Sequence, residues 1–247
     1  MRDFAPFSTS SGIAEAAPEA RPRYDATLGR VETYFDKTAT QTWERLTSDA
    51  PVSKIRETVR RGRDQMRALM LSRLPDDLSG QRVLDAGCGA GQMTAELAAR
   101  GAEVLAIDIS PSLVEIAELR LPAAYRRQVT FTSGDMLSSE LGRFDHVVAM
   151  DSLIYYEAAD IGSALKKLEN RTKATIVFTV APRTRLLMAM WYAGKLFPRS
   201  DRSPVMIPHA HKPLAQAARS QGLRGMVRPV DRVSSGFYIS QAMEVRI

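Results

Sequence analysis

The chain has 247 residues, 45% hydrophobic and 25% charged, the balance of an ordinary globular protein with room for one α/β domain and a terminal extension. Its single cysteine excludes an intramolecular disulfide and points to a reducing, cytoplasmic setting, and its longest nearly uncharged apolar run, Leu186 to Gly194, is far short of the roughly 20 residues of a membrane span. The net charge of +6 is carried by arginine: seven of the 34 basic residues are lysines, leaving 27 arginines.

Residues 1–28 are short, polar and proline-interrupted (Pro6, Pro18, Pro22), without periodicity or the apolar core of a secretory signal, and are expected as a disordered tail. Val31 to Ala39 and Thr42 to Leu46 read as one or two short helices carrying Tyr34, Phe35 and Trp43. Ser48-Asp49-Ala50-Pro51 breaks them and starts a long helix in which Ile55, Val59, Met66 and Met70 fall near one face, with Leu69 beside them. Between Lys54 and Arg73, seven basic residues face only Glu57 and Asp64, a local +5. Guanidinium forks suit carboxylates and phosphates. Two readings of this helix stay open, a solvated basic face and an anion-binding face, nucleic acid included.

Val83-Leu84-Asp85-Ala86-Gly87-Cys88-Gly89-Ala90-Gly91-Gln92 is the most informative stretch. An apolar run stops at an acid, glycine recurs at every second position, and a helix former follows. That is strand, loop, helix, with glycines where backbone N–H groups must approach a ligand closely. The dinucleotide fingerprint G-x-G-x-x-G does not fit, because the third glycine comes one residue early. Cys88 reads as small-residue packing rather than a nucleophile. A second strand, Glu103 to Ile109, carries Asp108 at its tip, seventeen residues after Gly91. A carboxylate there can accept both hydroxyls of a ribose. It also suits a cap for the helix that follows, although Ser110 and Pro111 already meet that need. A third strand, Val129 to Ser133, runs into Gly134-Asp135-Met136, and a fourth, Phe144 to Met150, ends at Asp151. Beyond it come a helix (Ile161 to Leu168), a buried strand (Thr175 to Val180), an aromatic and Met-rich insert (Arg183 to Phe197), a helix (Pro213 to Gln221) and two β segments (Met226 to Val230, Phe237 to Val245). Strand alternating with helix, closed by a β pair, is the pattern of a doubly wound sheet.

The D-x-G-x-G-x-G loop resembles motif I of class I S-adenosylmethionine-dependent methyltransferases. That resemblance implies a Rossmann-like, seven-stranded sheet of order 3-2-1-4-5-7-6 with one antiparallel strand. It also implies a loop that cradles the methionine moiety, Asp85 near the amino group and Asp135 at the adenine amino group. The acceptor is narrowed by what is missing. Met150-Asp151-Ser152-Leu153 is not the Asn/Asp-Pro-Pro-aromatic motif of adenine N-methyltransferases, no Pro-Cys nucleophile exists, and Thr179-Val180-Ala181-Pro182 offers no metal-binding acids.

Four passages outside the cofactor motifs resemble the magnesium-protoporphyrin IX O-methyltransferases of chlorophyll and bacteriochlorophyll biosynthesis. They are Tyr34-Phe35-Asp36 with Trp43, Ser48 to Arg56, Phe197 to Arg202, and Ser234 to Gln241. The resemblance runs from about Val31 to the C-terminus. It implies methyl transfer to a propionate of magnesium-protoporphyrin IX, with S-adenosylhomocysteine as the second product. No protein-bound metal is implied, because magnesium arrives in the porphyrin; His209 and His211 are candidate axial ligands to it, but magnesium prefers oxygen and a histidine flanking a helix start reads as a surface residue. The implied cofactor contacts are Tyr34, Trp43, Asp85, Ala86, Gly87, Cys88, Gly89, Gly91, Asp108, Ile109, Gly134, Asp135, Met136 and Met150. Catalytic roles fall to Tyr34, on a helix that closes over the cofactor, and to Tyr155. Many family members have histidine where this chain has Tyr155 in Asp151-Ser152-Leu153-Ile154-Tyr155-Tyr156, so a histidine base is not expected here. The expected organisation is a tail (1–28), a helical cap (29–80) and a methyltransferase domain (81–247) with a lid at 183–210. The implied partners are the porphyrin and the large porphyrin-carrying subunit of magnesium chelatase, with no nucleic acid and at most peripheral membrane contact through the lid. A methyltransferase acting on RNA or protein through the basic helix is the alternative.

Overall fold

The computed structural model describes residues 21–36, 54–184, 187–188 and 204–247. Seven strands form one sheet: β1 (Arg82–Ala86), β2 (Glu103–Asp108), β3 (Val129–Ser133), β4 (Phe144–Ala149), β5 (Thr172–Val180), β6 (Val227–Ser235) and β7 (Tyr238–Arg246). Their order is β3-β2-β1-β4-β5-β7-β6, as the methyltransferase resemblance implied. Pairing is parallel from β3 through β5, and β7 runs antiparallel to both β5 and β6.

The inner strands read as nearly continuous apolar runs because both faces are covered. Within β1 the two-residue period sends Val83 to one layer and Leu84 to the other. Leu84, Ile107, Val147 and Phe178 pack with helix α5 (Ala158–Glu169), through Ile161 and Leu165, and with helix α6 (His211–Ser220), through Leu214 and Ala218. Val83, Val104, Val148 and Val177 pack with α2 (Lys54–Leu71), through Met66 and Met70, and with α3 (Gln92–Ala99), through Met93 and Leu97. Helix α4 (Pro111–Arg120) starts at Ser110, whose Oγ accepts from the Leu113 amide at 3.4 Å, with Pro111 in its first turn.

Helix α1 (Arg21–Tyr34) corrects one expectation. Residues 21–28, expected in the disordered tail, are helical, and Phe35 and Asp36 add a last, wider turn. The helix has no sustained apolar stripe to announce it. It is held by single anchors instead: Tyr24 and Val31 are buried, as is Phe35 beyond its end. Tertiary packing overrides weak local preference here. Residues 1–20, the Thr42–Leu46 helix with Trp43, and most of the expected insert lie outside the described residues.

Candidate active site

The three loop glycines divide the work. All have positive φ: 85° at Gly87, 52° at Gly89 and 84° at Gly91. A Cβ on Gly87 would lie 2.4 Å from the Ser152 Cβ, and one on Gly91 2.9 Å from the Ala117 Cβ, so both are required by close packing. A Cβ on Gly89 would meet nothing within 4 Å. Gly89 therefore borders open space. The Gly87 and Cys88 amides donate to the Ile107 carbonyl at 2.8 and 2.9 Å, which pins the loop to the end of β2.

Asp108 completes that attachment. Its Oδ2 accepts from the Gly89 amide at 2.8 Å and its Oδ1 from the Ser110 amide at 3.0 Å, while Ser110 caps α4. Burial raises the Asp108 carboxyl above the usual range, opposed by these amides. Asp85 sits deeper, 1% exposed, with Oδ2 accepting from Thr94 Oγ1 at 2.6 Å. Burial pushes its pKa up to about 7, with the Thr94 bond opposing and Asp108 adding to the rise. Asp108 lines the cavity beside the loop, and Asp85 does not.

That cavity is walled by Val31 and Phe35 from the α1 end, Arg63 of α2, Gly87, Gly89, Asp108, Leu113, and Met150, Asp151, Ser152 and Tyr155 after β4. Tyr155 is half-buried, with its ring 6.0 Å from that of Phe35, and burial followed by the charge of Asp151 pushes its hydroxyl up. It stays a neutral donor. Tyr34 is half-buried, edge-on to Phe35 at 5.2 Å, and is not among the cavity-lining residues. Ile109 packs with Val31, Phe35 and Leu113. Ala86, Cys88 and Met136 are buried in the core, and burial raises the Cys88 thiol well above its usual value. The Gly134 amide donates to the Asp108 carbonyl at 2.9 Å, and Asp135 Oδ1 accepts from Tyr24 Oη at 2.8 Å and the Leu137 amide at 2.9 Å. His209, expected at the surface, is buried instead and contacts the Tyr156 carbonyl through Nε2 at 2.9 Å, whereas His211 is exposed and contacts the Val227 carbonyl at 3.0 Å. Both histidines are tied to backbone.

The cofactor contacts and catalytic residues expected from sequence omit six residues that line the cavity: Val31, Phe35, Arg63, Leu113, Asp151 and Ser152. Tyr24, which bonds Asp135 outside the cavity wall, falls in the expected tail. Asp151, although seen at the tip of the fourth strand, was not singled out; it adopts φ 58° and bonds Arg63 Nη1 at 2.7 Å. The basic helix also resolves in part. Arg67 pairs with Asp64 at 2.7 Å and Glu96 at 3.3 Å, and Arg73 with Glu244 at 2.7 Å, so much of its charge is balanced inside the protein.

The open space at Gly89 and the buried Ser152 Oγ, which has no hydrogen-bond partner among the described residues, fit a bound polar ligand at the loop. Sheet order, glycine cradle and acid at the tip of β2 together define a class I S-adenosylmethionine-dependent methyltransferase, and residues 83–175 match a methyltransferase-domain family model. Residues 149–247 match the model described as magnesium-protoporphyrin IX methyltransferase C-terminus. The magnesium-protoporphyrin O-methyltransferase of Rhodobacter capsulatus is 59% identical over 224 residues, covering 90% of this chain and 98% of the relative. The Synechocystis PCC 6803 magnesium protoporphyrin IX methyltransferase, solved with bound S-adenosylhomocysteine, superposes with a TM-score of 0.73 at 28% identity, covering 87% of this chain and 97% of that one. Its form with bound S-adenosylmethionine gives 0.70 at 25% identity, covering 89% and 96%. The chain belongs to the magnesium-protoporphyrin O-methyltransferase family.

Proposed function

We propose that this chain methylates a propionate carboxylate of magnesium-protoporphyrin IX, giving the monomethyl ester and S-adenosylhomocysteine. The observation that carries this is the 59% identity over 90% of the chain to the Rhodobacter capsulatus enzyme of that name. S-adenosylmethionine supplies an electrophilic methyl on a cationic sulfur: the new C–O bond forms as C–S breaks, and sulfur keeps that electron pair. The nucleophile has an ordinary pKa near ~4 and is ionised at neutral pH, so no strong base is needed.

The protein's contribution is then alignment and exclusion of water. The Gly89 region and Asp108 line the proposed cofactor seat, and Val31, Phe35, Leu113 and Met150 supply apolar walls. Tyr155, kept protonated by burial, is suited to donate one hydrogen bond to the carboxylate. Tyr34 and the other expected cofactor contacts, including Asp85 near the amino group and Asp135 at the adenine amino group, belong to the same proposal. Incubating the protein with magnesium-protoporphyrin and methyl-labelled cofactor tests it. Label recovered in the monoester supports the assignment, and active, cofactor-binding protein that leaves the porphyrin unlabelled overturns it.

Among the described residues no helix is long and apolar enough to cross a membrane. The proposal extends to a cytoplasmic location, with delivery of the porphyrin by the large subunit of magnesium chelatase. Peripheral membrane contact through residues 183–202 goes with it, resting on their Trp191, Tyr192 and Phe197 beside Arg183, Lys195 and Arg199.

A further inference from the structure

We infer that the Ser152 hydroxyl meets the amino-acid end of the cofactor; the inference rests on S-adenosylmethionine seated along the loop as proposed above, and not on the methyl acceptor. The sheet order sets the direction. Asp135 lies just beyond β3 and Asp108 at the tip of β2, so in that seat adenine and ribose lie over β3 and β2. The rest of the cofactor then crosses β1, where Gly87 stands, toward the end of β4, where Ser152 follows Met150 and Asp151 on the cavity wall.

An amino-acid end carries an ammonium and a carboxylate, and both need polar partners. Most of the loop is already engaged. The Gly87 and Cys88 amides donate to the Ile107 carbonyl, the Gly89 amide to Asp108, and the Gly91 amide to the Cys88 carbonyl at 3.0 Å. Asp85 is not among the cavity-lining residues, and its Oδ2 is held by Thr94. Ser152 does line the cavity, and its buried Oγ has no hydrogen-bond partner among the described residues. A hydroxyl can donate to a carboxylate and accept from an ammonium, so it suits either group. Buried polar groups rarely stay unpartnered, and a ligand that pairs with one offsets the cost of its burial.

The backbone that carries Ser152 is fixed from both sides. A Cβ on Gly87 would lie 2.4 Å from the Ser152 Cβ and 3.1 Å from its Oγ, so the serine fills the space that the glycine leaves. Asp151, just before it, holds φ 58°, a left-handed backbone that residues other than glycine adopt at a cost. The Asp151 amide donates to Thr179 Oγ1 at 2.7 Å, and Tyr238 Oη donates to the carboxylate oxygens at 3.1 and 3.2 Å. Tyr238 fits there because Gly62 has no side chain: a Cβ on it would lie 2.6 Å from Tyr238 Cδ1. Residues from α2, β5 and β7 thus set the turn at Asp151. Rotation about the Ser152 Cα–Cβ bond then swings the hydroxyl from Gly87 to the ligand.

The test is calorimetry of wild type and Ser152→Ala with two ligands, S-adenosylhomocysteine and methylthioadenosine. The second keeps the adenosine and the thioether sulfur but lacks the amino-acid end. Alanine keeps the Cβ packed on Gly87 and deletes only the hydroxyl. Affinity for S-adenosylhomocysteine is expected to fall about three- to tenfold, and that for methylthioadenosine to change less than about twofold. Cofactor-free Ser152→Ala should unfold at the wild-type temperature or above it, since no hydrogen bond is lost. Wild-type affinity for S-adenosylhomocysteine in the variant, or an equal loss with both ligands, overturns the assignment. So does a lowered unfolding temperature of the cofactor-free variant, which would give the hydroxyl a structural partner. Wild-type protein that binds S-adenosylhomocysteine but leaves the porphyrin unlabelled would instead sink the proposed acceptor alone, so the two failures are told apart.

Discussion

The hydroxyl of Tyr24 donates to Asp135 Oδ1 at 2.8 Å across 111 positions of sequence. The Tyr24 ring stacks on Tyr156, with centroids 5.0 Å apart and planes at 24°, and Lys167 lies over it at 5.9 Å. Burial pushes the Tyr24 hydroxyl far above its ordinary value, so it remains a donor at any physiological pH. Just beyond the other end of α1, Asp36 Oδ1 accepts from Ser112 Oγ at 2.7 Å. The helix is therefore fastened at both ends, and its Val31, with Phe35 just beyond it, walls one side of the cavity. The carboxylate proposed for the adenine amino group is one of the fasteners.

Tyr24→Phe removes that bond and keeps the stacking. A net hydrogen bond of about 1 kcal/mol corresponds to roughly a fivefold change in opening. Amide exchange across residues 21–34 is expected to quicken by about that factor, with β1 and β4 amides unaffected. Unaltered exchange in α1 would show that ring stacking alone holds the strap.

The three loop glycines should respond differently to alanine. At Gly89 the added methyl enters open space, at the cost of a left-handed backbone worth about 1–2 kcal/mol, and occupies the space proposed for the cofactor. At Gly91 it collides with Ala117 as well. Gly89→Ala is expected to stay folded and lose at least about tenfold in cofactor affinity, whereas Gly91→Ala loses a further ~1–3 kcal/mol of stability. Calorimetry paired with thermal unfolding separates the two, and full cofactor affinity in Gly89→Ala would remove the loop from the binding site.

Much of this was legible in the chain because the signals are local. The apolar runs of the inner strands, the glycine loop, and the Ser110-Pro111 start of α4 all announce themselves within about ten residues. The strand order followed once the loop was matched to its class. What stayed hidden depends on contacts made at long range. Tyr24 looks like tail residue until Asp135 and Tyr156 meet it. Gly62 looks like a flaw in a helix until Tyr238 fills the space beside it. Asp151 was visible as an acid at a strand end, but its left-handed backbone has no sequence signature without glycine or a turn motif. Asp108, weighed between ribose ligand and helix cap, turns out to hold the Gly89 amide while Ser110 caps the helix.

Asp85 gives the chain a pH-dependent weakness. Its folded-state pKa of about 7 lies above the ordinary carboxylate value of ~3.9, so the folded protein binds that proton more tightly than the unfolded chain does. Stability from this group is fully present below about pH 4 and is lost as pH rises toward about 7. Asp85→Asn cannot ionise and keeps an acceptor for Thr94. Urea unfolding of both proteins should show wild type losing ground to the variant across that window and running parallel above it. A constant difference across the window would mean that Asp85 is ionised in the fold throughout.

The two tyrosines credited with catalysis differ in placement, and their phenylalanine variants should differ too. Tyr155 lines the cavity and is held neutral by burial and by Asp151. Tyr155→Phe deletes a donor suited to the carboxylate, so kcat/KM for the porphyrin is expected to fall about tenfold. As a neutral donor throughout, Tyr155 should add no pH-dependent step to the wild-type rate between about pH 6 and 9. Tyr34 rests edge-on against Phe35 at 5.2 Å, on the strap rather than in the cavity wall. For its hydroxyl to act, α1 must shift when substrate and cofactor are both present. Tyr34→Phe should then lower kcat by about tenfold while cofactor affinity changes less than about threefold, because the hydroxyl's partner exists only in the closed complex. Single-turnover rates with saturating porphyrin measure this directly. A wild-type rate in Tyr34→Phe would leave Tyr34 as packing for Phe35, with Tyr155 as the one tyrosine acting on the carboxylate.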